Sequence, residues 1–156
     1  MSEHGRVVKI ELDERTVARR SPDIERERKV AIYDLLEENH FAPVGCAPAP
    51  YHLHLSIVDS RLVLDIRSVE ERPVVAVGLV LRPFRKVVKD YWEICDTYYQ
   101  AIKAANPSRI EALDVGRRAT HNEGSEQLRA RLAGKIDVDH ETARRLFTLL
   151  CVLHLR

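Results

Sequence analysis

Disulfides cannot hold this chain together. Its 156 residues include only three cysteines, an odd number. Cys95 and Cys151 fall inside apolar helical patterns, where a thiol behaves as a small buried hydrophobe. Cys46 lies in a Pro/Ala-rich loop, with no helix start or close basic residue to lower its pKa. The opening residues, Met-Ser-Glu-His-Gly, lack the apolar stretch of a signal peptide. No uncharged apolar run approaches the roughly 18 residues a membrane span requires. An excess of one charge is missing too. Lys and Arg total 25 against 24 Asp and Glu, a net charge of +1, so global electrostatics gives no case for nucleic acid or a membrane as partner. These absences make a reducing cytoplasm the expected location.

Motifs that announce chemistry are missing as well. There is no Walker-type phosphate loop, no dinucleotide glycine fingerprint, no His-Glu-x-x-His, no Cys-x-x-Cys and no Gly-x-Ser-x-Gly elbow. No cysteine has an arginine six residues later, which excludes a cysteine-phosphatase loop. No cofactor is expected.

What remains is globular. Apolar residues make up 45% and charged residues 31%, and the length suits a single domain over residues 1–156. Residues 7–12 alternate Val-Val-Lys-Ile-Glu-Leu and predict a strand with one wet face. Ser21-Pro22-Asp23 then opens a helix: Ser21 caps it, Pro22 suits the first turn, and Asp23 favours the positive end of the dipole. Residues 42–50, with three prolines and Gly45, form a loop. Residues 51–67 read as a hairpin about Asp59-Ser60, which sets Leu53, Leu55 and Ile57 opposite Ile66, Leu64 and Leu62 on one face. Residues 74–81 are apolar throughout, which predicts a strand covered on both faces or central in the sheet. Helices begin at Arg82-Pro83, Asn106-Pro107 and Asp139, and Gly124 is a candidate kink. Residues 147–155 are apolar nearly all round, so the last helix is buried centrally or lies in an oligomer interface. The fold class is α+β: an antiparallel sheet of about four strands, one helix after the first strand, and three C-terminal helices packed on the sheet.

Two polar groupings stand out. Residues 114–126 read Asp-Val-Gly-Arg-Arg-Ala-Thr-His-Asn-Glu-Gly-Ser-Glu. They place Asp114, Arg117, Arg118 and His121 at i, i+3, i+4 and i+7 on one helical face, with Asn122 and Glu123 adjacent. Arg117 and Arg118 suit a carboxylate or phosphate, and His121 suits a general base oriented by Glu123 or Asp114. A small anionic ligand is the partner this would imply. The competing reading is an internal network, with Asp114 paired to Arg118 and with Asn122 and Glu126 tying adjacent helices. The second grouping is His52-x-His54. The hairpin register sets His54 opposite Asp65 and His52 opposite Arg67, so His52, His54 and Asp65 form a weak metal candidate that Arg67 crowds with positive charge. Trp92 and Tyr99, seven residues apart, form a further seam for another helix or a partner.

Several segments together resemble a known family. They are Asp90-Tyr91-Trp92-Glu93-Ile94-Cys95 with Tyr98-Tyr99, Leu113-Asp114-Val115-Gly116-Arg117-Arg118, His121-Asn122-Glu123-Gly124, Ala143-Arg144-Arg145-Leu146-Phe147-Thr148 and Cys151-Val152-Leu153-His154. Over essentially the whole chain the sequence resembles uncharacterised protein family 0262, small bacterial proteins of unknown function. The resemblance implies a bacterial cytosolic protein and supplies no activity, cofactor or catalytic residue. The residues themselves favour a non-enzymatic interaction or regulatory module working as a homodimer. The alternative is a small enzyme or anion-binding protein using Arg117, Arg118, His121 and Glu123.

Overall fold

A computed structural model describes residues 5–14 and 21–154. Strand β1 spans Arg6–Leu12, helix α1 Pro22–Glu37, and the short strand β2 Phe41–Pro43. Strands β3 (Pro50–Val58), β4 (Arg61–Arg67) and β5 (Pro73–Val80) follow. A 3-10 turn at Arg82–Phe84 leads into α2 (Arg85–Lys103), then α3 (Pro107–Leu132), strand β6 (Ile136–Val138) and α4 (His140–Leu153). The fold is α+β, with one helix after the first strand and three helices at the C-terminal end.

Capping chemistry sets the helix starts. The side chains of Ser21, Asn106 and Asp139 each accept a hydrogen bond from a first-turn N–H, at Ile24, Arg109 and Thr142 respectively. Pro22 and Pro107 occupy first-turn positions where no N–H is needed. Contrary to the expected kink, α3 runs unbroken through Gly124. That glycine serves packing instead. A Cβ there would lie 2.1 Å from Cζ of Phe147, so the missing side chain lets α4 close on α3. The expectation that the last helix runs on to the C-terminus falls on Leu155 and Arg156, outside the described residues.

The main sheet has the order β1-β3-β4-β5. The hairpin register is the one its hydrophobic pattern dictates: Leu53 faces Ile66, His54 faces Asp65, and Val58 faces Arg61 across the Asp59-Ser60 turn. Two expectations need correction. β1 pairs with β3 in parallel, so the sheet is mixed rather than antiparallel. Helix α1 makes this possible, because a parallel partner needs a long crossover and α1 lies between the two strands. β5 is neither central nor covered on both faces. It is an edge strand, with only Val77 and Leu79 of its residues buried. A second, two-stranded sheet pairs β2 with β6 antiparallel; three-residue strands carry too little periodicity to be read from sequence.

One face of the main sheet, carrying Leu53, Leu55, Leu62, Leu64 and Ile66, joins the core with Val88, Tyr91, Leu128 and Phe147 of the helices. Every residue from Leu146 to Leu153 is buried, so α4 is the central helix and its apolar circumference is covered within the chain. The other sheet face bears His52, His54, Asp65 and Arg67 at intermediate exposure.

Candidate functional site

The helical segment around residue 117 divides its side chains among three surroundings. Arg117 points inward, where α1, α2 and α3 meet. Its Nη2 donates to Asp114 Oδ1 at 2.8 Å, its Nη1 lies 3.8 Å from Glu27 Oε1, and its guanidinium carbon sits 4.7 Å from the Tyr98 ring centroid. Tyr99 donates its hydroxyl to the same Glu27 oxygen at 2.6 Å. Burial and the adjacent Glu27 both raise the Tyr99 pKa. Burial works against the Arg117 charge, but the bond to Asp114 and the nearby Glu27 help outweigh it, and its pKa is raised. Arg118 lies on the outside, 60% exposed, with its Nε 3.2 Å from Asp114 Oδ2.

His121 is buried between aromatic rings, 5.1 Å from Tyr91 and 5.2 Å from Phe147 by centroid. Its Nε2 meets Thr148 Oγ1 at 2.8 Å. Burial first, then the charges of Arg144 and Arg117, push its pKa down to about 3. Neutral and enclosed, it is badly placed to exchange protons with a substrate. Asn122 and Glu123 are exposed on the far side of the helix, and Glu126 pairs with His140 at 2.7 Å. Asp114, Arg117 and Arg118 therefore form one cluster. His121 belongs to the core, and Asn122 and Glu123 join neither.

The second site is on the open face of the main sheet. His52 and His54 of β3 both bond the carboxylate of Glu71, a residue of the β4–β5 turn. His52 Nδ1 contacts Oε2, and His54 Nε2 lies 2.9 Å from Oε1. His54 Nδ1 lies 3.3 Å from Glu11 of β1. Asp65, the expected partner of His54, instead takes Arg67 Nε and Nη2 at 3.1 and 2.8 Å. The third Arg67 nitrogen, Nη1, donates to Glu71 at 3.3 Å. The hydrogen bond from His52 and then that from His54 hold the Glu71 carboxyl at about 2, well below its ordinary value. Among the described residues, no group of three His, Cys, Asp or Glu side chains has an arrangement that could hold a metal ion.

Sequence reading did not single out Glu71, Glu11 or Glu27. The signal available for Glu71 was weak: an acidic residue in a turn five residues past Ile66, where register alone gives no side-chain direction. A further feature went unread, an open groove of about 1360 Å³ between the hairpin end, α1 and α2. Ile57, Val88, Trp92 and Leu153 line it, with Arg82, Arg85 and Lys89 among its charged residues. Trp92 is also fixed within the chain, donating Nε1–H to Cys151 O at 3.1 Å. None of the six residues singled out around position 117 lines this groove. Cys95 does line it, but burial pushes its thiol up to about 12, so it is not a nucleophile at neutral pH. No helix among the described residues is long and apolar enough to cross a membrane.

Comparison with known proteins places the chain among bacterial relatives. It is 56% identical to the UPF0262 protein of Paramagnetospirillum magneticum over 156 residues, covering 100% of this chain and 99% of the relative. It is 58% identical to that of Rhizobium leguminosarum bv. trifolii over 151 residues, covering 97% and 96%. The UPF0262 protein of a Chelativorans species is likewise 58% identical over 156 residues, covering 99% and 96%. No solved structure matches significantly. Residues 4–156 match the description "Uncharacterised protein family (UPF0262)", and the chain belongs to that family.

Proposed function

We propose that this protein is a non-enzymatic interaction module that works as a homodimer in the cytoplasm, joined through the free edge of β5. The observation that carries this reading is the contrast between the two edges of the main sheet. The β1 edge is blocked at Val7. Asn39 caps it, its Oδ1 accepting from Val7 N–H at 2.8 Å and its Nδ2 donating to Val7 O at 2.9 Å. Among the described residues the β5 edge has no strand beside it, and it carries no charged residue from Pro73 to Leu81. Val74, Val75 and Val80 are 39%, 37% and 47% exposed. Natural edge strands are usually protected by lysine, proline, a bulge or a cover, and in β5 the proline and the register shift are confined to its start, at Pro73.

A second copy fits this edge by symmetry. A two-fold axis at Val77 sets Ala76 opposite Gly78 and Val74 opposite Val80 in antiparallel pairing. Leu81 N–H donates to Ser60 O at 3.1 Å, toward the hairpin. By strand alternation, the backbone groups of Ala76, Gly78 and Val80 point outward to meet the partner. Three free cysteines fit a reducing compartment. Ala76→Pro tests the pairing, because it removes an outward N–H without breaking a bond to β4. Sedimentation should give twice the chain mass for the wild type and a monomer with unchanged circular dichroism for Ala76→Pro. A monomeric wild type at high micromolar concentration refutes the reading.

The groove between α1 and α2 supports a second reading, binding of a small amphipathic anion over an apolar floor beside Arg82, Arg85 and Lys89. A medium-chain carboxylate should then raise the melting temperature, and Arg85→Ala should remove that rise.

A further inference from the structure

Side-chain nitrogens on two adjacent central strands converge on one point of the open sheet face. His52 Nδ1, His54 Nε2 and Arg67 Nη1 all reach the same carboxylate, that of Glu71. The neighbouring acids are otherwise engaged. Asp65 takes the other two nitrogens of Arg67, and Glu11 faces the other nitrogen of His54 and lies 3.3 Å from Lys9 Nζ. Beside those pairs, three side-chain nitrogens are directed at a single oxyanion, held by strands whose register sets His52 opposite Arg67.

The oxyanion that fills the place comes from a turn whose backbone does not depend on it. Glu71 N–H donates to Ser68 O, Ser68 N–H to Arg72 O, and Arg72 N–H to Ser68 Oγ. All three bonds survive without the Glu71 side chain. The backbone at residue 71 has φ +64°, a left-handed conformation that glycine adopts freely and glutamate rarely does. Backbone geometry therefore favours another residue at this position, and what glutamate adds is its carboxylate. The Glu71 side chain remains 38% exposed, so the place it fills lies at the solvent boundary.

We propose that His52, His54 and Arg67 form an oxyanion-binding site for a phosphate or carboxylate group, and that the Glu71 carboxylate occupies it as a built-in competitor. Guanidinium and imidazole donors suit both oxyanions. An incoming anion competes with a tethered one at high effective concentration, so its apparent affinity falls by the fraction of time the site is free. The site lies on the sheet face rather than on the β5 edge, and it does not depend on dimer formation.

The test uses the full chain, as wild type and as Glu71→Gly, which keeps the left-handed turn and removes the competitor. Inorganic phosphate and acetate are titrated separately while the His52 and His54 imidazole resonances are followed by NMR. The Glu71→Gly protein should bind one of these anions at one-to-one stoichiometry, about tenfold or more tighter than wild type. Both imidazoles should move while that of His40 stays still. Saturation by phosphate alone assigns a phosphate site, and saturation by acetate as well assigns a general carboxylate site. Adding Arg67→Ala should abolish binding. Glu71→Gln, which keeps the side-chain length and drops the charge, should give an intermediate gain and serves if Glu71→Gly fails to fold. Absence of saturable shifts in both variants, an affinity equal to wild type, or binding that persists without Arg67 overturns the proposal.

Discussion

His121 Nε2 and Thr148 Oγ1 lie 2.8 Å apart across the α3–α4 interface, and burial there keeps the histidine neutral. The Thr148 hydroxyl also lies 3.3 Å from Arg144 O, a backbone acceptor of its own. Ser125 donates to His121 O at 2.7 Å, and its oxygen lies 3.4 Å from Nδ1. The ring is neutral and enclosed by Tyr91 and Phe147.

Stability should therefore depend on pH in a defined window. Burial lowers the His121 pKa from 6.5 to about 3. Between those values the unfolded chain binds a proton that the folded chain refuses, so stability is full above about 6.5 and falls as pH drops toward 3. At about 1.4 kcal/mol per pKa unit the full swing is on the order of 4–5 kcal/mol, a large share of an ordinary domain's stability. Urea denaturation from pH 7 to pH 4 should show this fall, and His121→Phe should flatten it. Thr148 keeps Arg144 O as partner in that variant, so no buried hydroxyl is orphaned. Equal pH slopes in both proteins would show that His121 charges freely.

Gly124→Ala should destabilise the protein although alanine is the better helix former by about 1 kcal/mol. The added Cβ meets Cζ, Cε1 and Cε2 of Phe147 at 2.1, 2.4 and 2.6 Å, and both residues are buried. Overpacking of this kind costs about 1–3 kcal/mol. Phe147→Ala removes the opposing ring and should cost about 3–5 kcal/mol by itself. The informative measurement is the double-mutant cycle by chemical denaturation. The alanine at 124 should cost much less when residue 147 is also alanine, because the clash is gone. Additive losses would mean that the helices separate easily.

These two relationships show what the sequence could and could not convey. Local rules placed the helix starts at Ser21, Asn106 and Asp139, because a cap needs only its own first turn. Alternation placed the β3–β4 register, because one slip would turn Leu53, Leu55 and Leu64 out of the core. Partnership between distant elements was not legible. The apolar run of β5 looked central because composition cannot tell a covered face from a bare one. Gly124 looked like a kink because its partner lies 23 residues on. Helical spacing grouped His121 with Arg117 on a shared arc. The actual surroundings change within one turn, from the junction with α1 at Arg117 to the α4 core at His121.

Zinc or manganese should give no stoichiometric binding at His52 and His54. Both imidazoles face Glu71, and Arg67 holds a cation against the same carboxylate. A divalent ion would have to displace that guanidinium and separate three formed hydrogen bonds. Isothermal titration at neutral pH should return only dilution heats, and the melting temperature should not move. One equivalent bound with micromolar affinity would contradict the pairing described for this face.

Arg117→Leu and Arg118→Leu should separate cleanly, although the residues are adjacent. Arg118 is 60% exposed and shares Asp114 with Arg117, so its loss leaves the carboxylate paired. Exposed pairs contribute about 0–1 kcal/mol, and Arg118→Leu should fall in that range. Arg117 touches Asp114, Glu27 and the Tyr98 ring from a half-buried position. Its loss leaves Glu27 with the Tyr99 hydroxyl at 2.6 Å and takes the Arg117 cation out of the α1–α2–α3 junction. Removing one partner from a largely buried charge network costs about 3–5 kcal/mol at full burial, and roughly half that is expected here. Thermal and urea unfolding of the two variants side by side decide the matter. In the same experiment phosphate should stabilise neither wild type nor Arg118→Leu through this segment, because its inward cation already has two carboxylates. A phosphate-dependent shift lost in Arg118→Leu but kept in Glu71→Gly would reinstate residues 114–123 as a ligand site.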